Sequence, residues 1–368
     1  MSERIISSVA LKAKERVRQL TEETWGRLRG EVLPPIEVEI QPTANCHRTC
    51  AFCSHIIRNR RGGELTSEDV FSLLAELERM QVKSIAFSGG GEPLYWKAGR
   101  LVEAIRTASA FARVILTSSG DQLWNDTRDE LDDDALSILG HCSALQLNIP
   151  AVDDAGFQRQ VHGPSSWKRT SSIISSLVEL KSSRPDLRCK IYAVVVVSAF
   201  NVNQIAGIDE ALMTRGFDGI YYKQLKNFED RPLAKVRISE DTIFNTLDII
   251  PAATRSADLD KFIKLIATNY ETMTHCWVNR IGFDAIVDPD GDIYLCTPTV
   301  GKNEFCIGNL DNGGFANCWH GATRELVLRR LSDYSLHGVC PRECRNHGDN
   351  QLIDHGIRQQ KIKVSGLK

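Results

Sequence analysis

A chain of 368 residues is longer than one ordinary domain needs, and 42% hydrophobic with 25% charged residues is the composition of a soluble globular protein with a sizeable core. A net charge of −2 argues against a polyanion-binding surface; the run Arg58-Asn59-Arg60-Arg61 reads as a solvated loop, and no nucleic-acid partner is expected. Met1-Ser2-Glu3-Arg4 leads into no apolar signal core, and the longest apolar run, Tyr192 to Val197, is strand-length, so the expected location is cytoplasmic with no membrane partner.

Residues 3–30 repeat Ile6, Val9, Ala13, Val17 and Leu20 at three- and four-residue spacing, which predicts an amphipathic helical extension that ends at Pro34-Pro35. Ile36, Val38 and Ile40 alternate with charged residues as a strand does. The segment 66–80 is predicted helical, with Val70, Leu73, Leu74, Leu77 and Met80 on one face and Thr66 with Asp69 as its N-terminal cap. Strands follow at about 82–87, 113–117, 144–149, 190–197 and 218–223. Helical patterns at about 97–110, 132–139, 166–182 and 203–215 separate them, the last ending at Gly216. Six strands alternating with helices predict an α/β fold with a parallel sheet, a partial (β/α)6 TIM-like barrel. Beyond residue 239 come helices at about 239–249 and 257–272. Asp288-Pro289-Asp290-Gly291 then turns a hairpin between 285–287 and 293–295. The expected units are a helical extension over 1–35, a barrel over 36–238 and a helical linker with a small Cys-rich domain over 239–368.

Eleven cysteines are many for a reducing compartment, where clustered thiols are better read as metal or cluster ligands than as disulfides. Three fall within 46–53 and six within 276–344. Cys142 and Cys189 stand outside both groups and read as small buried residues. Cys46, Cys50 and Cys53 are spaced C-x3-C-x2-C at the end of the first strand. Three thiolates on one loop can hold three irons of a cubane and leave the fourth open to a chelating molecule. A zinc site is the alternative, with His47 or His55 as fourth ligand. One βα unit later the second strand ends Ser88-Gly89-Gly90-Gly91-Glu92-Pro93, a glycine-rich turn at the end of a barrel strand that carries active sites.

On the thiol triad, the aromatic Phe52 and the Gly90-Gly91-Glu92-Pro93 segment, the chain resembles the radical S-adenosylmethionine (radical SAM) superfamily over about residues 36–225. The resemblance implies that Cys46, Cys50 and Cys53 bind a [4Fe–4S] cluster whose fourth iron is chelated by S-adenosylmethionine. It also implies that Gly90, Gly91, Glu92 and Pro93 meet the methionine amine and that Phe52 lies beside the adenine. Leu116-Thr117-Ser118-Ser119-Gly120 stands where the family often has Thr-Asn-Gly. Asn148 stands where a cofactor-binding Ser is usual and retains the hydrogen-bonding capacity for that role. The family's downstream Arg has no clear counterpart near Val161-His162-Gly163.

In the second cysteine group, Cys276 and Cys296 bracket the hairpin with Gly291 between them, and Cys340 and Cys344 follow on a short loop. This spacing, with Ile307-Gly308-Asn309-Leu310 and Trp319, is similar to the auxiliary-cluster domains called SPASM and twitch. That similarity implies that Cys276, Cys296, Cys340 and Cys344 bind one auxiliary [4Fe–4S] cluster, with Cys306 and Cys318 spare; a structural zinc site is the alternative. By resemblance the chain is an enzyme that cleaves S-adenosylmethionine reductively and abstracts hydrogen from a substrate, with an external donor such as flavodoxin or ferredoxin. Related single-auxiliary-cluster enzymes oxidise or epimerise small metabolites. Residues 1–35 are short for a leader-binding domain, so the expected substrate is a sugar or aminocyclitol, with a ribosomal peptide or protein side chain as the alternative. An iron–sulfur carrier or sensor is a third reading that leaves the glycine-rich strand end unexplained. No catalytic residue is identified; the strand end at Lys223-Gln224-Leu225-Lys226 with Glu229 is a place to look for a base.

Overall fold

The computed structural model describes residues 22–53, 63–96, 100–225, 236, 238–267, 275–336, 346, 350–351, 353–354 and 357–358. Six strands appear where alternation predicted them: β1 (Glu37–Ile40), β2 (Ser84–Phe87), β3 (Arg113–Ser118), β4 (Ala144–Asn148), β5 (Lys190–Val197) and β6 (Gly219–Gln224). They lie side by side in chain order and all run parallel. Parallel neighbours need crossovers, which the helices supply.

The first helix of the described chain, α1 (Glu22–Leu28), is followed by α2 (Ser67–Arg79), α3 (Leu101–Ser109), α4 (Asp133–His141), α5 (Asp154–Gln160), α6 (Trp167–Ser183) and α7 (Ile205–Met213). In α2, Thr66 and Asp69 form a reciprocal capping box, and Val70, Leu73, Leu74 and Leu77 are the buried face, as the pattern predicts. The seven-residue α5, capped by Asp153, escapes periodicity because it is barely two turns long.

The sheet has two unlike faces. Val38, Ile40, Ile85, Phe87, Leu116, Leu145 and Val195 are among the strand residues that join the large apolar core with the helices. Alternate residues turn to the other face, where Ala86, Ile115, Ala144, Tyr192, Val194 and Tyr221 form a small cluster of their own, with Tyr192 stacked on Tyr221 at 4.9 Å. Polar side chains share this inner face: Thr117 bonds Gln146 at 3.2 Å, and Gln41 bonds Glu39 at 2.8 Å.

The sheet does not stop at β6. After α8 (Glu240–Asp248), α9 (Ala257–Ala267) and the short α10 (Trp277–Arg280), strand β7 (Asp284–Val287) lies parallel to β1 on its other side, Glu37 level with Asp284 and Ile40 with Val287. The expected hairpin then leads through the Gly291 turn into antiparallel β8 (Asp292–Tyr294), and β9 (Cys306–Asn309) closes the row. One open nine-stranded sheet thus runs β6-β5-β4-β3-β2-β1-β7-β8-β9, so the Cys-rich segment extends the barrel sheet itself. Pairing partners distant in sequence leave no trace in local alternation, which is why the spacing suggested a separate unit.

Two further helices, α11 (Gly314–His320) and α12 (Ala322–Leu336), follow β9. In α12 the outward Leu326 breaks up the apolar stripe of Val327, Leu328 and Leu331, which obscures its period. Of the expected N-terminal helix, residues 1–21 lie outside the described residues. The turn that is described packs Trp25 and Leu28 on Trp277, Val278, Ile281 and Phe283. Arg27 holds it there by donating to the carbonyls of Ile281 (2.9 Å) and Pro34 (2.7 Å).

Candidate active site

The thiol triad sits on the loop that leaves β1. Its start is fixed on three sides. Gln41 N–H donates to the Val287 carbonyl (2.9 Å), Ala44 N–H to the Gly63 carbonyl (2.9 Å), and Glu64 accepts from Thr43 Oγ1 (3.0 Å) and Asn45 Nδ2 (2.9 Å). Farther on, Thr49-Cys50 pairs antiparallel with Val161-His162, and Gly163, with φ +140, lies against the His47 carbonyl, where a Cβ would come within 2.6 Å.

The glycine-rich turn after β2 locks onto this loop. Gly91 N–H donates to the Thr43 carbonyl (2.7 Å) and Glu92 N–H to the Asn45 carbonyl (2.8 Å). A Cβ on Gly91 would collide with the Asn45 carbonyl, so the glycine is required by the close approach of two backbones. The buried Glu92 carboxylate then reaches the end of β3. One oxygen accepts from Ser118 Oγ (2.6 Å) and Leu94 N–H (3.2 Å), the other from Ser119 N–H (2.7 Å). Glu92 thus joins the ends of β2 and β3, and its carboxylate is already supplied with donors. The Ser118-Ser119 pair that replaces the family's Thr-Asn is what receives it.

Cys46 is exposed, while Cys50 and Cys53 are half-buried. Burial pushes the Cys50 thiol up to about 12, with the Arg48 charge opposing it. Ligation to iron takes thiolates, so it must displace the thiol protons. Arg48 N–H donates to Cys46 Sγ (3.4 Å). Among the described residues no three His, Cys, Asp or Glu side chains converge on one metal ion. A cubane takes each thiolate on a separate iron, which three thiols on one loop can supply. His47 is moreover engaged at both ring nitrogens, Nε2 with Asp121 (2.5 Å) and Nδ1 with Gln122 (3.1 Å), so it does not serve as the fourth zinc ligand. His55, the other candidate, lies outside the described residues. The triad fits a cluster.

Phe52 is buried with Ala151, Phe157, Val161, Leu225 and Val236 beside the triad. Asn148 ends β4, and its buried Oδ1 has no hydrogen-bond partner among the described residues, the state of a group awaiting a ligand. Pro93 opens the single helical turn Pro93–Tyr95, whose Tyr95 ring stacks on His47 at 5.5 Å. Sequence reasoning missed the anchor beneath the loop, His47 and Arg48 on Asp121 with Ser165. The signal was a His-Arg pair between two cysteines with an Asp just past a strand end.

Of the second cysteine group, Cys276 and Cys296 fall at the opposite end of the sheet. β7 starts after Cys276 and α10, and β8 returns so that Tyr294 is level with Ile286, which carries Cys296 back to the end where β7 begins. The triad follows the other end of parallel β1. Cys276 packs with Trp277 and Ile353, Cys296 against the main core, and Cys306 donates to the Gly308 carbonyl (3.1 Å). Cys318 is buried against Gly308. Cys340 and Cys344 lie outside the described residues, as do Lys226 and Glu229. Cys142 and Cys189 are buried in the core, as expected.

The profile of the Radical SAM superfamily matches residues 40–196, and that of the SPASM iron–sulfur cluster-binding domain matches 276–345. Mycofactocin maturase MftC of Mycobacterium ulcerans is 23% identical over 323 residues, covering 83% of this chain and 79% of that protein. The MftC of Mycolicibacterium smegmatis is 25% identical over 325 residues, covering 83% and 74%. Among solved structures, SuiB of Streptococcus suis bound to precursor peptide SuiA superposes with a TM-score of 0.62 at 13% identity, over 94% of this chain and 78% of that one. Native anSMEcpe with bound AdoMet gives 0.60 at 11% identity, over 88% and 96%. The chain therefore carries a Radical SAM domain over residues 40–196 and a SPASM iron–sulfur cluster-binding domain over residues 276–345, the make-up of an enzyme that binds S-adenosylmethionine and [4Fe–4S] clusters.

Proposed function

We propose that this enzyme is a peptide maturase, modifying a ribosomally made peptide or a protein side chain. The observation that carries the reading is the alignment with proteins named maturases over 83% of the chain, core and cysteine-rich segment together. The likeness in fold to SuiB, a protein solved with a precursor peptide, agrees with it. The expectation of a sugar or aminocyclitol rested on the shortness of residues 1–35 and gives way to these relatives.

Cys46, Cys50 and Cys53 hold the cofactor-binding cluster, and Cys276, Cys296, Cys340 and Cys344 hold one auxiliary cluster. With the cluster and S-adenosylmethionine bound, the site would supply reductive cleavage of the cofactor and, through it, hydrogen-atom abstraction from the substrate. The chain's own residues do the remainder. Asn148 offers its amide to the cofactor, Phe52 flanks the adenine, and the backbone of Gly90, Gly91 and Pro93 receives the methionine end while the Glu92 carboxylate keeps that turn in place. The inner face of the sheet, walled by Tyr192 and Tyr221, receives the substrate and keeps water from the reacting atoms. An external one-electron donor such as flavodoxin or ferredoxin completes the set.

Protein reconstituted anaerobically should carry about eight irons per chain, and about four after Cys46, Cys50 and Cys53 are replaced by Ala. That triple variant should form no 5′-deoxyadenosine. A short peptide encoded beside the gene should then change mass in step with 5′-deoxyadenosine release. Release coupled instead to a sugar or aminocyclitol, with every such peptide unchanged, would return the reading to small metabolites.

A further inference from the structure

Between Cys46 and Cys50 the chain places His47 and Arg48, and both reach one carboxylate. Arg48 grips Asp121 with two bonds, Nε to Oδ2 and Nη2 to Oδ1, each 2.8 Å. The Ser165 hydroxyl donates to Asp121 and accepts from Arg48 Nε (2.7 Å). Arg48 is 5% exposed and Asp121 4%, and the guanidinium lies 5.4 Å from the centre of the Phe157 ring. Asp121 is itself fixed in place. It opens a helical turn directly after β3, past Gly120 with φ +81, whose N–H donates to Ser118 Oγ. That serine is the one Glu92 holds. The ion pair therefore fastens the thiol loop to the end of β3 from below, while Glu92 ties the glycine-rich turn to the same strand end.

Two features make this more than a strut. Arg48's own peptide N–H is the one that donates to Cys46 Sγ, so the side chain's grip also fixes a hydrogen bond to a ligand sulfur. The two members also carry opposite charges against the thiol loop, Arg48 lying between Cys46 and Cys50 and Asp121 gripping it. A buried bidentate pair presents almost no net charge to its surroundings, but either member alone presents a full one in a site shielded from water.

We propose that the Arg48–Asp121 ion pair is the positioning device of the triad cluster, holding the loop and its N–H···S bond in register while cancelling a guanidinium charge that would otherwise raise the cluster's reduction potential. The proposal rests on the assignment of Cys46, Cys50 and Cys53 as cluster ligands. One-electron reduction adds a negative charge to the cluster, so an uncompensated neighbouring cation favours the reduced form and an uncompensated anion disfavours it.

The test is a redox titration of the full reconstituted chain, with dithionite as reductant and electron paramagnetic resonance as readout. The signal that changes on adding S-adenosylmethionine is followed. Asp121→Asn should move that midpoint potential up, Arg48→Gln should move it down, and Arg48→Gln with Asp121→Asn should bring it back near wild type. Two single variants that load iron but shift the same way, or not at all, would overturn the proposal. Should either single variant fail to load iron, the double variant decides: recovered loading with a wild-type potential upholds the pairing, and loading as poor as in the single variant overturns it. A wild-type chain with no signal responsive to S-adenosylmethionine would instead overturn the ligand assignment, and the proposal with it.

Discussion

Asp288 shows how much one residue's surroundings change its chemistry. It directly follows β7, and its Oδ1 accepts the N–H groups of Asp290 and Asp292 (both 3.0 Å), closing the hairpin turn. At 2% exposure, burial first and the Asp292 charge next push its carboxyl from the ordinary 3.8 up to about 7. The folded chain therefore keeps a proton that the unfolded chain releases. The stability this proton confers is complete below pH about 4 and is lost as pH rises through about 7. Asp288→Asn retains the accepting Oδ1 and cannot ionise. Urea denaturation should find the variant close to wild type at pH 4 and more stable above pH 7, by up to about 4 kcal/mol. Identical pH dependence in the two proteins would show that Asp288 ionises freely. Nothing in Asp288-Pro289-Asp290-Gly291 beyond a turn signal announces this, because burial depends on β8 and β9 lying alongside.

At the scale of elements, the catalytic end is built by three loop ends that meet, those of β1, β2 and β3. Glu92 is where they join. Its N–H donates to the Asn45 carbonyl and its carboxylate takes donors from Ser118 and Ser119. Glu92→Gln would turn an amide N–H2 toward one of these donors and leave it unpaired, so a loss of about 1–3 kcal/mol in stability is expected. The same variant should hold iron at the triad less firmly while the auxiliary cluster remains. Urea melts and iron content per chain check both. Full stability with wild-type iron would mean that Glu92 is free to meet a ligand instead. The motif Gly90-Gly91-Glu92-Pro93 was recognisable in the sequence, yet its duty inside the fold was not, because Asn45 and Ser118 lie 47 and 26 positions away in the chain.

For the whole molecule, the consequence of a continuous sheet is that the barrel and the cysteine-rich segment are structurally dependent. β1 lies between β2 and β7, and its Val38 and Ile40 are fully buried. A chain cut at residue 238 would lose β7 and leave β1, with its buried Glu37, Val38 and Ile40, as an unpaired edge, and such edges aggregate. The expected outcome is an insoluble or unfolded fragment by circular dichroism and light scattering. A soluble, folded fragment over 36–238 would show that the two parts are independent domains after all. The sheet also separates the two cysteine groups, with the triad beyond the end of β1 and Cys276 and Cys296 at the end where β7 begins.

The amino-acid sequence by itself determined the six strands and most of the intervening helices, because alternation of Val, Ile and Leu is a local signal. It determined the thiol triad and the glycine-rich turn equally, because ligands on a single loop must be close in the chain. It also carried the Thr66–Asp69 cap and the Gly291 hairpin. Only the tertiary structure decided what those loops touch. Arg48 finds Asp121 73 residues on, Glu92 finds Ser118 26 residues on, and β1 finds β7 about 247 residues on. Such pairings depend on which strand lies next to which, and a parallel strand accepts any neighbour of matching face. Asp121 therefore reads as one more loop carboxylate in the sequence, and in the fold as the anchor of the thiol loop through Arg48.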